Sequence, residues 1–210
     1  MSIIEDYECQ SGFINLSEEI NISKIGTVLD AGANTVVIDP IDKTILKDNT
    51  HVLIISRESN KFDFLVKLSR HSRFKINSIS ERNSIRANLS SSKYYIFEMS
   101  RLKKHSFKMN YELDKVFYYN ACNQRDSDIV KFIHVDSYMN ELSGAFKLAI
   151  LDHPNSGLQE IEKEVIEAVR ESLEALQRTG SDRLFKLDLN KEQFASFNEK
   201  LICIDPVIYI

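Results

Sequence analysis

Short β-branched runs punctuate the first quarter of the chain. IGTVL, TVVIDPI and THVLIIS are separated by DAGAN and DKTILKDN, whose Gly, Asn and Asp content is that of turns. Within DAGAN, Gly32 and Asn34 are expected to supply left-handed turn positions between two antiparallel strands. KFDFLVKL sets Phe62, Phe64 and Val66 against Lys61, Asp63, Leu65 and Lys67, the period of two of a half-buried strand with one mixed face. RFKINSI and KYYIFEM continue the strand pattern, and the polar stretch SISERNSIRANLSSS reads as a loop. The pattern predicts a mostly antiparallel sheet or partly open barrel of about five to seven strands over residues 10–100.

The second half changes period. KFIHV reads as a further strand, with His134 and Asp136 on one face. In SYMNELSGAFKLAIL, Met139, Leu142, Phe146 and Ile150 fall at helical spacing, with Ser137 as the expected cap. LQEIEKEVIEAVRESLEALQR carries Leu158, Ile161, Val165, Val169, Leu173 and Leu176 in one apolar stripe. Ser156 and Gln159 match a capping box there, and Thr179-Gly180 supplies a stop. A last helix is expected over about Lys191–Lys200, with Phe194 and Phe197 at i,i+3. LICIDPVIYI then reads as a strand returning to the sheet. The expected fold class is α+β: residues 1–108 a strand-rich region with a basic middle segment, residues 109–210 a helix-rich acidic region with a terminal strand, the two packed as one compact unit.

Composition narrows the class. The chain has 210 residues, 43% of them hydrophobic, which is enough to bury a sizeable core. With 28% charged residues and only 6 Gly and 3 Pro, it is neither disordered nor linker-like. No apolar run approaches the roughly 20 residues of a membrane span, and MSIIEDYECQ is acidic where a signal peptide is basic. A cytoplasmic setting without membrane partners is expected. Cys9, Cys122 and Cys203 are odd in number and widely spaced, which predicts reduced thiols, with Cys203 in the core.

Two apolar runs end in Asp-Pro, at Asp39-Pro40 and Asp205-Pro206. Proline lacks a ladder donor, so Ile-Asp-Pro is a natural way to finish a strand. The same placement suits carboxylates that converge on a divalent cation. Asp39, Asp42 and Asp205 are therefore the candidates for a metal-dependent nuclease. VLDAGANT resembles the first nucleotide-binding loop of methyltransferases over eight residues, but VVID follows at once and leaves no room for the helix that fold requires. The five histidines form neither HxH nor HxxxH, and no cofactor is implied.

Charge supplies the strongest functional signal. The formal net charge of −4 divides into 3 basic against 9 acidic residues over 1–56, 13 against 4 over 57–108, and 11 against 18 over 109–210. A middle segment of this sign, interleaved with Ser and Asn, suits contact with a phosphate backbone. Its candidate residues are Lys67, Arg70, Arg73, Lys75, Arg82, Arg86, Lys93, Arg101, Lys103 and Lys104. Tyr94 or Tyr95, if displayed by the sheet, would stack on an unpaired base. The expected function is a nucleic-acid-binding accessory or regulatory protein acting on DNA or RNA.

The competing expectation lies in the helix at Leu158–Arg178, which carries six glutamates against three basic residues, with Lys163 and Glu167, and Arg170 and Glu174, as supporting pairs. If its glutamate face covers the basic segment, the two neutralise each other. If it points away, it serves a protein partner, a homo-oligomer or an inhibitory surface.

Overall fold

The computed structural model describes residues 22–32, 34–58, 60–79, 94–107, 112–123, 134–179, 185–187 and 189–209. Arg82, Arg86, Lys93, Cys9, Gly180 and most of KFIHV lie outside them. The fold is α+β, with an N-terminal antiparallel sheet, a helical middle and C-terminal strands that return to a sheet.

Five strands, β1 (Gly26–Ala31), β2 (Thr35–Pro40), β3 (His51–Ser56), β4 (Ile76–Ser78) and β5 (Tyr95–Ser100), form one sheet in the order β1-β2-β3-β5-β4. β2 runs antiparallel to both β1 and β3, with Val36 opposite Ala31 on one side and Ile55 on the other. Burial follows position in the sheet. β3 is central, and all six of its residues are buried, which is why VLII shows no alternation. β2, one place out, alternates and buries Val36, Ile38 and Pro40. β1 forms an edge and is exposed along nearly its whole length. The helix α1 (Lys61–Ser72) links β3 to β4, and β5 then enters the gap between those two strands.

The chain divides into two compact units, Met1–Glu58 with Asn77–Glu98, and Ser59–Ile76 with Met99–Ile210. The first is built on Ile22, Ile25, Val36, Ile38, Leu53 and Ile55, with Tyr94 and Ile96 packed against them. Its one buried carboxylate among the described residues, Glu98, is satisfied by the backbone N–H of Lys47 at 2.7 Å and the amide of Asn77 at 2.9 Å. Without such donors a buried carboxylate costs several kcal/mol, on the order of a small domain's whole stability. His51, also buried, lies 3.6 Å from it.

In the second unit, helices α2 (Leu113–Asn123), α3 (Val135–Asp152) and α4 (Leu158–Gln177) pack in succession, and α4 also packs on α1 and on strand β9 (Lys200–Cys203). β6 (Lys103–Lys104), β8 (Phe194–Phe197) and β9 form a three-stranded sheet in the order β6-β8-β9. β7 (Phe185–Leu187) pairs antiparallel with β10 (Val207–Tyr209). LICIDPVIYI therefore returns as two strands broken at Asp205-Pro206, and its partners are β7 and β8.

Several local expectations are corrected. KFDFLVKL is the start of α1 and not a strand: it buries Phe64, Leu65, Leu68 and Ser72, a helical set, and joins Asp63 to Lys67 at 2.6 Å across one turn. The alternation of Phe62, Phe64 and Val66 coincides with that stripe over too few residues to tell the two periods apart. The expected helix over Lys191–Lys200 is a single 3₁₀ turn, Lys191–Gln193, followed by the β8–β9 hairpin. Asn198 and Glu199 both have positive φ, at 49° and 66°, the geometry of a two-residue hairpin turn of the primed type.

Among the caps, α4 begins at Gly157 with φ 69° and no side-chain cap, so Ser156 and Gln159 form no capping box. Ser137 lies inside the first turn of α3, whose cap position is His134; His134 and Asp136 thus open a helix and do not share a strand face. Gly32 is not left-handed, although β1 and β2 do form the expected hairpin. Helix α2 was not foreseen: Leu113, Val116, Phe117 and Asn120 are its buried set, a stripe too short to stand out among exposed tyrosines.

Two glycines set opposite expectations. A Cβ on Gly26 would lie 2.2 Å from the carbonyl oxygen of Asp39 and 2.7 Å from Ile38 Cγ2, across the β1–β2 pair, whereas one on Gly144 within α3 meets nothing within 4 Å. Gly26→Ala should lower stability by about 2 kcal/mol or more through forced backbone displacement. Gly144→Ala should raise it by about 1 kcal/mol through helix propensity. Urea unfolding of the two variants beside the parent measures both.

Candidate nucleic-acid interface

The seven described members of the basic set all belong to the second unit, although some 25 residues of sequence separate its two groups. Arg70 is exposed in the last turn of α1. Arg73 closes that helix in the left-handed conformation, φ 59°, its N–H donating to the carbonyl of Ser69 at 2.7 Å. Lys75 follows, and its backbone is bonded in both directions to Ser100: Ser100 N–H donates to the Lys75 carbonyl at 2.8 Å, and Lys75 N–H donates to Ser100 Oγ at 2.9 Å. Arg101 is the next residue. Lys103 and Lys104, exposed on β6, stand opposite Ser196 and Ala195 of β8. Phe74 packs edge-to-face on Phe197 of the same strand at 6.5 Å. Arg70 to Lys75 and Arg101 to Lys104 are therefore brought to neighbouring backbone by contacts that no local pattern announces.

Their neutralisation differs. Lys67 is paired with Asp63, Lys104 with Glu192, and Arg101 has interactions of its own. Among the described residues, the side chains of Arg70, Arg73, Lys75 and Lys103 make no ion pair. Three glutamates of the acidic helix α4 have partners other than these four cations. Glu171 takes Lys200 at 2.5 Å and Glu174 takes Arg178 at 3.4 Å, while Ser143 donates to Glu162 at 3.4 Å. The expected pairing of Arg170 with Glu174 gives way to a bond from Arg170 to Asp136 of α3 at 2.7 Å.

Three groups that sequence reasoning passed over stand beside this set. Lys200 Nζ donates to the carbonyl of His71 at 3.1 Å as well as to Glu171, and Arg178 lies 3.2 Å from the His71 ring. Cations at the C-terminal ends of helices meet the negative end of the macrodipole and the last unbonded carbonyls. That rule could have singled out Arg178 at the tail of α4. Lys200 was hidden because it reaches α1 across 129 residues of sequence.

The aromatic groups also rearrange the expectation. Tyr94 packs against the core of the first unit, and Tyr95 is exposed on β5. In the second unit four rings run outward from the core. Phe117 stacks on Phe194 at 5.9 Å with 11° between planes, Phe194 meets Phe107 edge-to-face at 5.5 Å, and Phe107 meets His105 edge-to-face at 4.5 Å. Phe117 and Phe194 are buried, whereas Phe107 and His105 are half-buried.

The carboxylate candidates are each engaged locally. Asp39 pairs with Lys43, Asp42 accepts from the Thr44 N–H at 2.9 Å as the cap of a short 3₁₀ turn, and Asp205 pairs with Lys61 at 3.1 Å. Among the described residues no group of three or more His, Cys, Asp and Glu side chains is placed to hold a metal ion, and no helix is long and apolar enough to cross a membrane. Cys203 is fully buried, and that burial pushes its thiol up to about 12, so it stays protonated and packs as an apolar group.

Burial lowers the pKa of His105 and Glu164 of α4 partly opposes this. A histidine whose folded pKa lies below its unfolded value takes up a proton on unfolding, so its contribution favours folding above the ordinary imidazole range and declines as pH falls through that range. Thermal midpoints of the parent and His105→Gln between pH 8 and 5 should therefore shift in favour of the variant on acidification. Glu164→Gln should enlarge that shift in the parent background, because it removes the group that holds the proton.

Comparison with known proteins returns no matching family model, no matching curated protein and no matching solved structure.

Proposed function

We propose that this chain is a nucleic-acid-binding accessory or regulatory protein that grips the phosphate backbone through Arg70, Arg73, Lys75 and Lys103, with Lys67, Arg101 and Lys104 at the margins. The observation that carries the reading is the lack of internal neutralisation. The four central cations have no carboxylate of their own among the described residues, while the glutamates of α4 that form ion pairs hold Lys200 and Arg178. Lysine and arginine held this way release counterions when they meet phosphate, which gives affinity without base readout and leaves DNA and RNA equally served. The reading assumes a cytoplasmic setting, where such ligands are met.

A second reading draws on exposed glutamates of α4. Glu160, Glu164 and Glu167 are exposed at i, i+4 and i+7, with Glu164 near enough to His105 to act on its pKa, a stripe suited to a basic protein partner. The two readings separate in one titration.

Fluorescence polarisation of labelled DNA and RNA at several salt concentrations should show binding that weakens steeply with salt. Replacing Arg70, Arg73, Lys75 and Lys103 together by Gln should flatten the logarithmic salt slope by about 3, at roughly 0.7–0.9 per phosphate contact. Absence of salt-sensitive binding by the parent protein at low salt would falsify the reading and leave the stripe on α4.

Arg73 gives a sharper test. Glycine at its left-handed position relieves about 1 kcal/mol of backbone cost. Arg73→Gly should thus raise the unfolding midpoint and weaken binding, a combination that general destabilisation cannot produce.

A further inference from the structure

Resting on that reading, we infer that the ligand is single-stranded, and that the half-buried rings of His105 and Phe107 receive one of its unpaired bases. The chain runs without a break from the cations to the rings: Lys103 and Lys104 on β6 lead directly into His105 and Phe107. The His105 N–H donates to the Phe194 carbonyl at 3.1 Å, which continues the β6–β8 ladder through His105. In extended backbone Lys103 and His105 fall on the same side, about 7 Å apart. One nucleotide can then place its phosphate on the lysine and its base on the ring.

The rings are held in advance. Phe107 is braced edge-to-face on Phe194, and Phe194 is stacked on Phe117, both of them buried. A braced ring loses little rotamer freedom when a base settles on it. His105 stands at 68° to Phe107. A planar base laid on either ring therefore meets the edge of the other, the geometry aromatic groups prefer. Burial, by lowering the pKa of His105, helps keep it a neutral aromatic surface near neutral pH. Bases inside a duplex already have both faces stacked and have none to offer, whereas a single strand presents them freely.

The test compares a fluorescein-labelled oligothymidine 12-mer with a hairpin duplex of similar length. Phe107→Leu keeps an apolar contact on Phe194 and removes the flat face, and Phe107→Tyr keeps the face. The intact protein should bind the single strand more tightly than the duplex. Phe107→Leu should lose about tenfold or more on the single strand alone with the salt slope unchanged, and Phe107→Tyr should bind like the parent. Lys103→Gln should instead flatten the slope by about one.

Should Phe107→Leu fail to fold, as judged by circular dichroism, His105→Leu carries the same comparison. Equal or tighter duplex binding by the intact protein, or parent-like single-strand binding by a folded variant lacking the ring face, overturns the stacking inference and leaves the phosphate reading standing. No binding of either form at low salt overturns both.

Discussion

The ammonium group of Lys200 organises the basic end of the second unit. It joins three elements at once, donating from β9 to Glu171 of α4 and to the carbonyl of His71 at the end of α1. Glu171 is 14% exposed, so the pair exchanges charge in a partly desolvated setting where its attraction is not fully screened. The bond fixes the last turn of α1 against α4. From there the chain turns at Arg73, lays Phe74 on Phe197 and bonds Lys75 to Ser100. The clamp also removes a glutamate that would otherwise be available to the neighbouring arginines.

Carboxylates are engaged in two ways. Buried Glu98 of the first unit is held by neutral donors, a backbone N–H and an amide, so the carboxylate is solvated from within, with the His51 ring 3.6 Å away. Others meet ammonium and guanidinium groups directly, as at Asp39 in the first unit and at Glu171, Asp136 and Asp205 in the second. Where ion pairs are made residue by residue, the residues left over define the surface potential. Among the described residues of the second unit, Arg70, Arg73, Lys75 and Lys103 are left without an ion pair, as are Lys115, Lys147 and Lys163 on the helices.

Elements whose burial is set by position in the sheet were legible from pattern alone. β3 reads as an uninterrupted apolar run because it is central, and β2 alternates because it lies one place out. The long stripe of α4 likewise spans enough turns to fix its period. KFDFLVKL and the stretch around Phe194 were misread because two or three aromatic residues satisfy both periods over one turn, and only tertiary burial decides between them. The composition of the site was visible in the run of Lys and Arg, but its assembly was not. Lys75 meets Ser100, and Lys200 meets His71, through long-range contacts. The tyrosines drew attention by their exposure in a strand pattern, while the rings that line up beside the lysines include Phe194 from 87 residues further on.

Cations at a helix end have an ordinary structural use, so the basic cluster needs to be weighed residue by residue. Arg70, His71 and Lys200 all lie where the α1 dipole and its last carbonyls favour positive charge, and the fold alone accounts for them. Lys103 on an edge strand discourages pairing with another chain, and that too is a structural service. Arg73 is different. Its backbone is left-handed, where glycine closes a helix without the cost of a Cβ, and its guanidinium makes no ion pair among the described residues. A residue serving only the helix end would be glycine or asparagine. An arginine there spends backbone stability on a charge that no ion pair among the described residues uses, which is what the proposed phosphate contact would explain.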